Sequence, residues 1–64
     1  MKNLLNKIDQ LTERIEMGFL TRSESLSQLR GLRAEIADKF EEGSDEFMQC
    51  IGPLIDANEV AINL

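Results

Sequence analysis

The stretch GFLTRSE, residues 18–24, ends one predicted helix and begins the next, and the predicted fold is built outward from it. Gly18 suits the position just after a helix, because glycine adopts positive φ angles without steric cost. Thr21 followed by Glu24 is a capping box, in which two residues exchange side-chain-to-backbone hydrogen bonds at a helix N-terminus. A connection this short predicts that helices 1 and 2 are antiparallel neighbours.

The residues before this turn predict helix 1 over about residues 3–17, with Asn3 as its N-cap. Its apolar residues Leu4, Ile8, Leu11 and Ile15 follow one another at steps of four, three and four. That spacing is typical of a helix seam that packs on another helix.

Helix 2 is predicted over about residues 22–42 and ends at Gly43. One face of it carries apolar residues and also includes Arg33; the apolar members are Leu26, Leu29, Ile36, Ala37 and Phe40, with Leu32 at the edge of the face. Two interpretations of Arg30 and Arg33 stay open. Their stems can lie along apolar surface with the charged ends in water, or the two arginines can be presented to a protein partner.

A third helical segment is predicted over about residues 45–63. Ser44 is its N-cap, and Asp45 and Glu46 in its first turn complement the helix dipole. The pair Gly52-Pro53 interrupts the pattern near residues 52–53, because proline removes a backbone donor and clashes with the preceding turn. The helical phase continues across this pair, which predicts two nearly collinear helices or one helix kinked near Pro53.

The chain is predicted to form one small domain over residues 1–64, and to need an additional source of stability. A core of this size contributes only about 3–5 kcal/mol, and a single cysteine, Cys50, excludes a disulfide within the chain. The third segment has an apolar face about half its circumference wide, which is more than one groove covers. We therefore expect an all-α dimeric helical bundle rather than a monomeric three-helix bundle, with self-association through Phe47, Ile51 and Leu54.

Cys50 itself lies between apolar residues and is expected to be a small buried hydrophobic side chain. An intermolecular disulfide or a reactive thiol is the alternative. One free cysteine also suits a reducing compartment.

No apolar stretch is long enough to cross a bilayer, so we expect a cytoplasmic protein without a membrane span.

Charge is divided unevenly along the chain. All seven basic residues lie in positions 1–39, whereas positions 40–64 hold six acids and no base. This predicts either that the acidic third segment docks near the cations of the hairpin, in the same chain or in a second copy, or that it forms an acidic surface for a basic partner. Lys7 and Arg14 flank the seam of helix 1 and are placed to pair with carboxylates of a facing helix.

The composition argues against catalysis and against bound cofactors or metals. The chain has no histidine, so neither a Ser-His-Asp triad nor a Cys-His pair can form. A single cysteine and scattered glycines leave no zinc-type cluster and no phosphate loop. We therefore expect no catalytic residues, no cofactor and no metal site.

Nucleic-acid binding is the alternative function. Asn3, Lys7, Gln10 and Arg14 share one strip of helix 1, and a symmetric dimer would double that strip. A sequence pI near 4.5 and the acidic neighbours of the strip oppose it, because they repel phosphates.

The residues from Gly18 to Leu26 resemble the turn of many short helical-hairpin modules, including the SHOCT type, over about 25 residues in total. The resemblance implies a helical hairpin and no particular site. The function predicted from the sequence is therefore binding: a small intracellular protein-interaction module, acting as a regulator, adaptor or inhibitor.

Overall fold

Three helices account for most of the chain. The computed structural model describes residues 2–64, in which α1 spans Lys2–Glu16, α2 spans Arg22–Lys39 and α3 spans Asp45–Ile62. Short connections at residues 17–21 and 40–44 make consecutive helices antiparallel, so α1 and α3 run in the same direction. Every pair of helices is in contact, and the Cα radius of gyration is 11.2 Å. The predicted all-helical fold is confirmed, with no strand in the residues described.

The helix α1 begins earlier than its sequence predicts. It starts at Lys2, so Asn3 lies inside the first turn and is not the N-cap. Its C-terminal end is as expected: Gly18 has a φ of 80°. The Phe19 N–H donates to the Arg14 carbonyl at 3.0 Å and the Gly18 N–H donates to the Ile15 carbonyl at 3.1 Å. These two bonds are the Schellman motif, which satisfies carbonyls left free at a helix end.

The predicted capping box opens α2. The Glu24 N–H donates to Thr21 Oγ1 at 3.1 Å, and the Thr21 N–H donates to Glu24 Oε1 at 3.0 Å. The hydrogen bond from the Thr21 backbone is the main reason that the pKa of Glu24 lies below its ordinary value, and the bond with the Thr21 side chain lowers it further. The helix start and the hairpin turn therefore lie where the sequence placed them.

The end of α2 differs from the prediction. The helix stops at Lys39 rather than near residue 42, because Phe40 adopts an extended backbone with φ −129° and ψ 144°. Phe40 still donates its N–H to the Ile36 carbonyl, and its side chain is half-buried against the core. Gly43, which has a φ of 88°, lies in the connection between α2 and α3 and does not end α2.

The N-cap predicted for α3 is confirmed, since Ser44 Oγ accepts a hydrogen bond from the Phe47 N–H at 3.3 Å. The helix is assigned without interruption from Asp45 to Ile62, with Pro53 inside it. The kink near Pro53 stays a prediction.

The core is a single cluster to which all three helices contribute. The seam predicted for α1 is fully buried, and α3 contributes the largest share; the buried apolar residues are Leu4, Ile8, Leu11, Ile15, Leu29, Ile36, Phe47, Cys50, Leu54, Ala57 and Ala61. Among them Cys50 has no exposed surface, as expected for a small hydrophobic side chain. The helix α3 therefore packs against both α1 and α2.

The buried face of α2 agrees with the prediction in part: Leu29 and Ile36 are buried, and Leu26 and Phe40 are half-buried against the core. Ser25 is fully buried, whereas Ala37 is exposed and the Arg33 side chain is 55% exposed. The seam instead runs through Ser25, Leu29, Leu32 and Ile36, again at steps of four, three and four. Ser25 tolerates burial because its hydroxyl donates to the Thr21 carbonyl at 2.8 Å.

Candidate protein interface

An open groove of about 360 Å³ runs between α2 and α3. Its lining combines apolar side chains with two arginines: Leu29, Arg30, Arg33, Phe47, Ile51, Leu54, Ile55 and Asn58. The antiparallel packing of α2 on α3 brings the two predicted groups together, because it sets the middle of α2 against the middle of α3. All three residues predicted for self-association and both arginines predicted for partner contact therefore line one groove.

The three residues predicted for self-association differ in how much surface they offer. Phe47 and Leu54 are 5% and 6% exposed, because they pack into the core of the single chain. Ile51 is half-buried and lies at the edge of that core. Any second chain in this groove would therefore touch Ile51 more than Phe47 or Leu54, and self-association through the three residues stays a prediction.

A row of exposed apolar residues on α3 includes Ile55, which also lines the groove, and was not singled out from the sequence. Met48, Ile55 and Ile62 are 57%, 59% and 47% exposed. They are seven residues apart, so they lie almost in line along one face of α3. We call these three residues the α3 ridge. Their seven-residue spacing is visible in the sequence. The apolar face of the segment is so wide, however, that the sequence does not show which of its apolar residues are exposed to solvent.

The two arginines stand on the α2 side of the groove and are exposed. Arg33 Nη2 lies 3.5 Å from Glu42 Oε1, and the two side chains are 55% and 76% exposed. Such a long, solvated ion pair contributes little to stability. The guanidinium of Arg33 is therefore held only weakly, and both arginines border apolar surface from which a partner could be contacted.

A second groove, of about 430 Å³, lies between α1 and α2. Three of the four residues of the predicted nucleic-acid strip line it, namely Lys7, Gln10 and Arg14, whereas Asn3 does not. Lys7 Nζ lies 3.1 Å from Glu35 Oε2 of α2, which confirms the predicted pairing of Lys7 with a facing carboxylate. The same pair sets a negative charge inside the groove and opposes phosphate binding there.

In residues 2–64, no three Cys, Asp or Glu side chains are grouped so that they could share a metal ion. None of the three helices has the length and the apolar character needed to span a membrane.

No protein-family model, curated protein or solved structure matches the chain. The proposed function therefore rests on the geometry of residues 2–64.

Proposed function

We propose that this chain is a small intracellular protein-interaction module that acts by binding another polypeptide, without catalysis. The observation that carries the proposal is the α3 ridge, a line of exposed apolar side chains beside a groove with an apolar floor. Exposed apolar residues that are aligned on one helix and lie next to an apolar groove indicate an interaction site, because contact with a partner removes them from water. A regulator, an adaptor or an inhibitor can use a surface of this kind, and a homodimer can use it as well.

The composition of the surface supports protein binding over binding of a small molecule. The groove is open and is lined in part by isoleucine and arginine, and the exposed Met48 belongs to the α3 ridge together with the groove residue Ile55. Methionine and arginine are enriched in protein interfaces. The ridge extends along most of α3, so it suits an extended partner such as a helix better than a compact ligand.

Affinity capture with matched variants tests the proposal. The bait is the wild-type chain, Ile55→Glu on the ridge, or Gln28→Glu on the exposed side of α2 that lines the groove with α1. We expect wild type and Gln28→Glu to retain the same polypeptide from the native host, which can be the chain itself, and Ile55→Glu to lose it. Retention of that polypeptide by Ile55→Glu, or retention of no polypeptide by wild type, would contradict the proposal.

A second candidate is nucleic-acid binding along the groove between α1 and α2. The observation that favours it is that Lys7, Gln10 and Arg14 line this one groove. Fluorescence anisotropy with a structured RNA hairpin and with duplex DNA tests it at low salt. Binding that weakens steeply with salt and is reduced by Arg14→Gln would support the candidate, because phosphate contacts release counterions. No binding at low salt would remove it.

A further inference from the structure

The α3 ridge becomes a regular seam when the two half-buried residues that lie between its members, Ile51 and Asn58, are included. Met48, Ile51, Ile55, Asn58 and Ile62 follow one another at steps of three, four, three and four. Each of them is exposed or half-buried. This is the spacing of a coiled-coil seam, here on the outside of a helix whose other face already forms the core. A surface with this spacing fits a second helix laid along α3.

Charge differs on the two sides of the seam. Arg30 and Arg33 stand on the groove side, where Ile51 lies. Asp56 and Glu59 are exposed on the other side of the α3 ridge, since helical geometry places them past Ile55 in the opposite direction from Ile51. A helix that complements the groove must therefore be apolar on one face and acidic along one flank. The α3 helix of this same chain meets both requirements.

We propose that the occupant is a second copy of this chain, with its α3 helix packed parallel along the first. This inference rests on the proposed function, because it names the partner of the same surface. In a parallel pair with a two-fold axis along the helices, the groove side of each helix faces the acidic side of the other. Arg30 and Arg33 of each copy then face the flank of its partner that carries Asp56 and Glu59.

Antiparallel pairing lacks this complementarity. It sets acidic side against acidic side and arginines against arginines, and like charges across an interface are costly. Parallel pairing also aligns Asn58 with its own equivalent. A single polar layer in an otherwise apolar seam favours this register over a shifted one, because a shift would set the Asn58 amide against an apolar side chain.

Sedimentation equilibrium of the purified chain, from micromolar to near-millimolar concentration, tests the self-association. We expect a reversible monomer–dimer equilibrium for wild type and for Gln28→Glu, at an exposed position on the α1 side of α2. Ile55→Glu is expected to stay monomeric with an unchanged circular dichroism spectrum, because Ile55 is 59% exposed and leaves the fold intact when replaced. A wild-type chain that is monomeric throughout would overturn the inference.

Two charge-reversed variants test the pairing of the flanks. Arg30→Glu with Arg33→Glu makes both sides of the seam acidic, and Asp56→Lys with Glu59→Lys makes both sides basic. Each double variant alone is expected to dimerise about tenfold more weakly or worse than wild type, whereas an equimolar mixture forms a heterodimer. Undiminished dimers of either variant alone, or no heterodimer in the mixture, would contradict the charge pairing.

Disulfide trapping tests the direction of the helices. In a Cys50→Ala background, Met48→Cys is expected to form a cross-linked dimer under mild oxidation, because residue 48 lies beside its equivalent only in a parallel pair. Cross-linking that occurs only when Met48→Cys is mixed with Ile62→Cys would indicate antiparallel pairing and overturn the proposed direction.

Failure of the dimer can be distinguished from failure of the proposed function. A chain that is monomeric by sedimentation but captures a foreign polypeptide through Ile55 would refute the second copy as the partner and leave the proposed function intact.

Discussion

Thr21 and Glu24 hydrogen-bond each other reciprocally, each backbone N–H donating to the side chain of the other residue, at 3.0 and 3.1 Å. This exchange fixes the start of α2 and therefore the direction in which α2 returns along α1. Because helix N-termini leave backbone donors without helical partners, the pair satisfies two groups that water alone would otherwise solvate.

Removing the hydroxyl of this cap should cost measurable stability. Thr21→Ala is expected to destabilise the chain by about 1 kcal/mol, because the Glu24 N–H loses its acceptor. The matched control is Ser23→Ala, an exposed hydroxyl in the same turn, which is expected to change little. Urea unfolding followed by circular dichroism measures both, and equal effects of the two substitutions would show that the cap contributes nothing specific.

The lowered pKa of Glu24 predicts a pH dependence of stability. A carboxyl whose pKa is lower in the folded chain than in the unfolded one stabilises the fold at pH values above its ordinary pKa of 4.5. That contribution is lost as the pH falls through the folded pKa. Comparing wild type with Glu24→Gln isolates the contribution of the Glu24 carboxylate. We expect wild type to have the higher free energy of unfolding at neutral pH, and the difference between the two free energies to shrink below pH 4.5. A difference independent of pH would contradict the assignment.

The same substitution at two glycines should have opposite effects. Gly18 has a φ of 80°, whereas Gly31 lies inside α2, and neither would bring a Cβ within 4 Å of another atom beyond its local backbone. Gly18→Ala is expected to destabilise the chain by about 1–2 kcal/mol through backbone strain alone. Gly31→Ala is expected to stabilise it by about 1 kcal/mol, since alanine favours a helix interior. Thermal melts of the two variants check the signs, and effects of the same sign would contradict this backbone geometry.

Ser25 is expected to tolerate loss of its hydroxyl but not an increase in size. Ser25→Ala removes a bond to the Thr21 carbonyl, which still accepts from the Ser25 N–H at 2.9 Å, so it should cost under about 1 kcal/mol. Ser25→Leu should destabilise by about 1–3 kcal/mol, because the site is fully buried. Chemical unfolding tests this, and a stabilising Ser25→Leu would show that space remains at this point of the core.

Ser25 also shows where sequence analysis reaches its limit. The helix ends at Gly18, Thr21 and Ser44 were predictable because caps depend on a few neighbouring residues. The core face of α2 was predictable only in part. Leu29 and Ile36 are buried as the pattern indicated, but a serine within the seam breaks the apolar pattern, and Ala37 extended the predicted face to a position that lies in solvent. The local hydrogen bond that makes the burial of Ser25 inexpensive is visible only in the folded chain.

The candidate interface was predictable only in part, for a similar reason. The sequence indicated the broad apolar face of the third segment and the two arginines, and the structure brings them to one groove. Which apolar residues of α3 lie inside depends on how α1 and α2 pack on it. Phe47 and Leu54 consequently belong to the core, whereas Met48 and Ile55 lie outside.

The measurement that tests the interface most directly is an amide ¹H–¹⁵N correlation spectrum of the purified chain recorded over increasing protein concentration. We predict that the amide signals of Ile51, Ile55 and Asn58 shift together as copies associate, while those of Gln28 and Glu35, on the side of α2 that lines the groove with α1, stay in place. Spectra and diffusion coefficients that do not change with concentration would contradict the proposed contact between copies along α3.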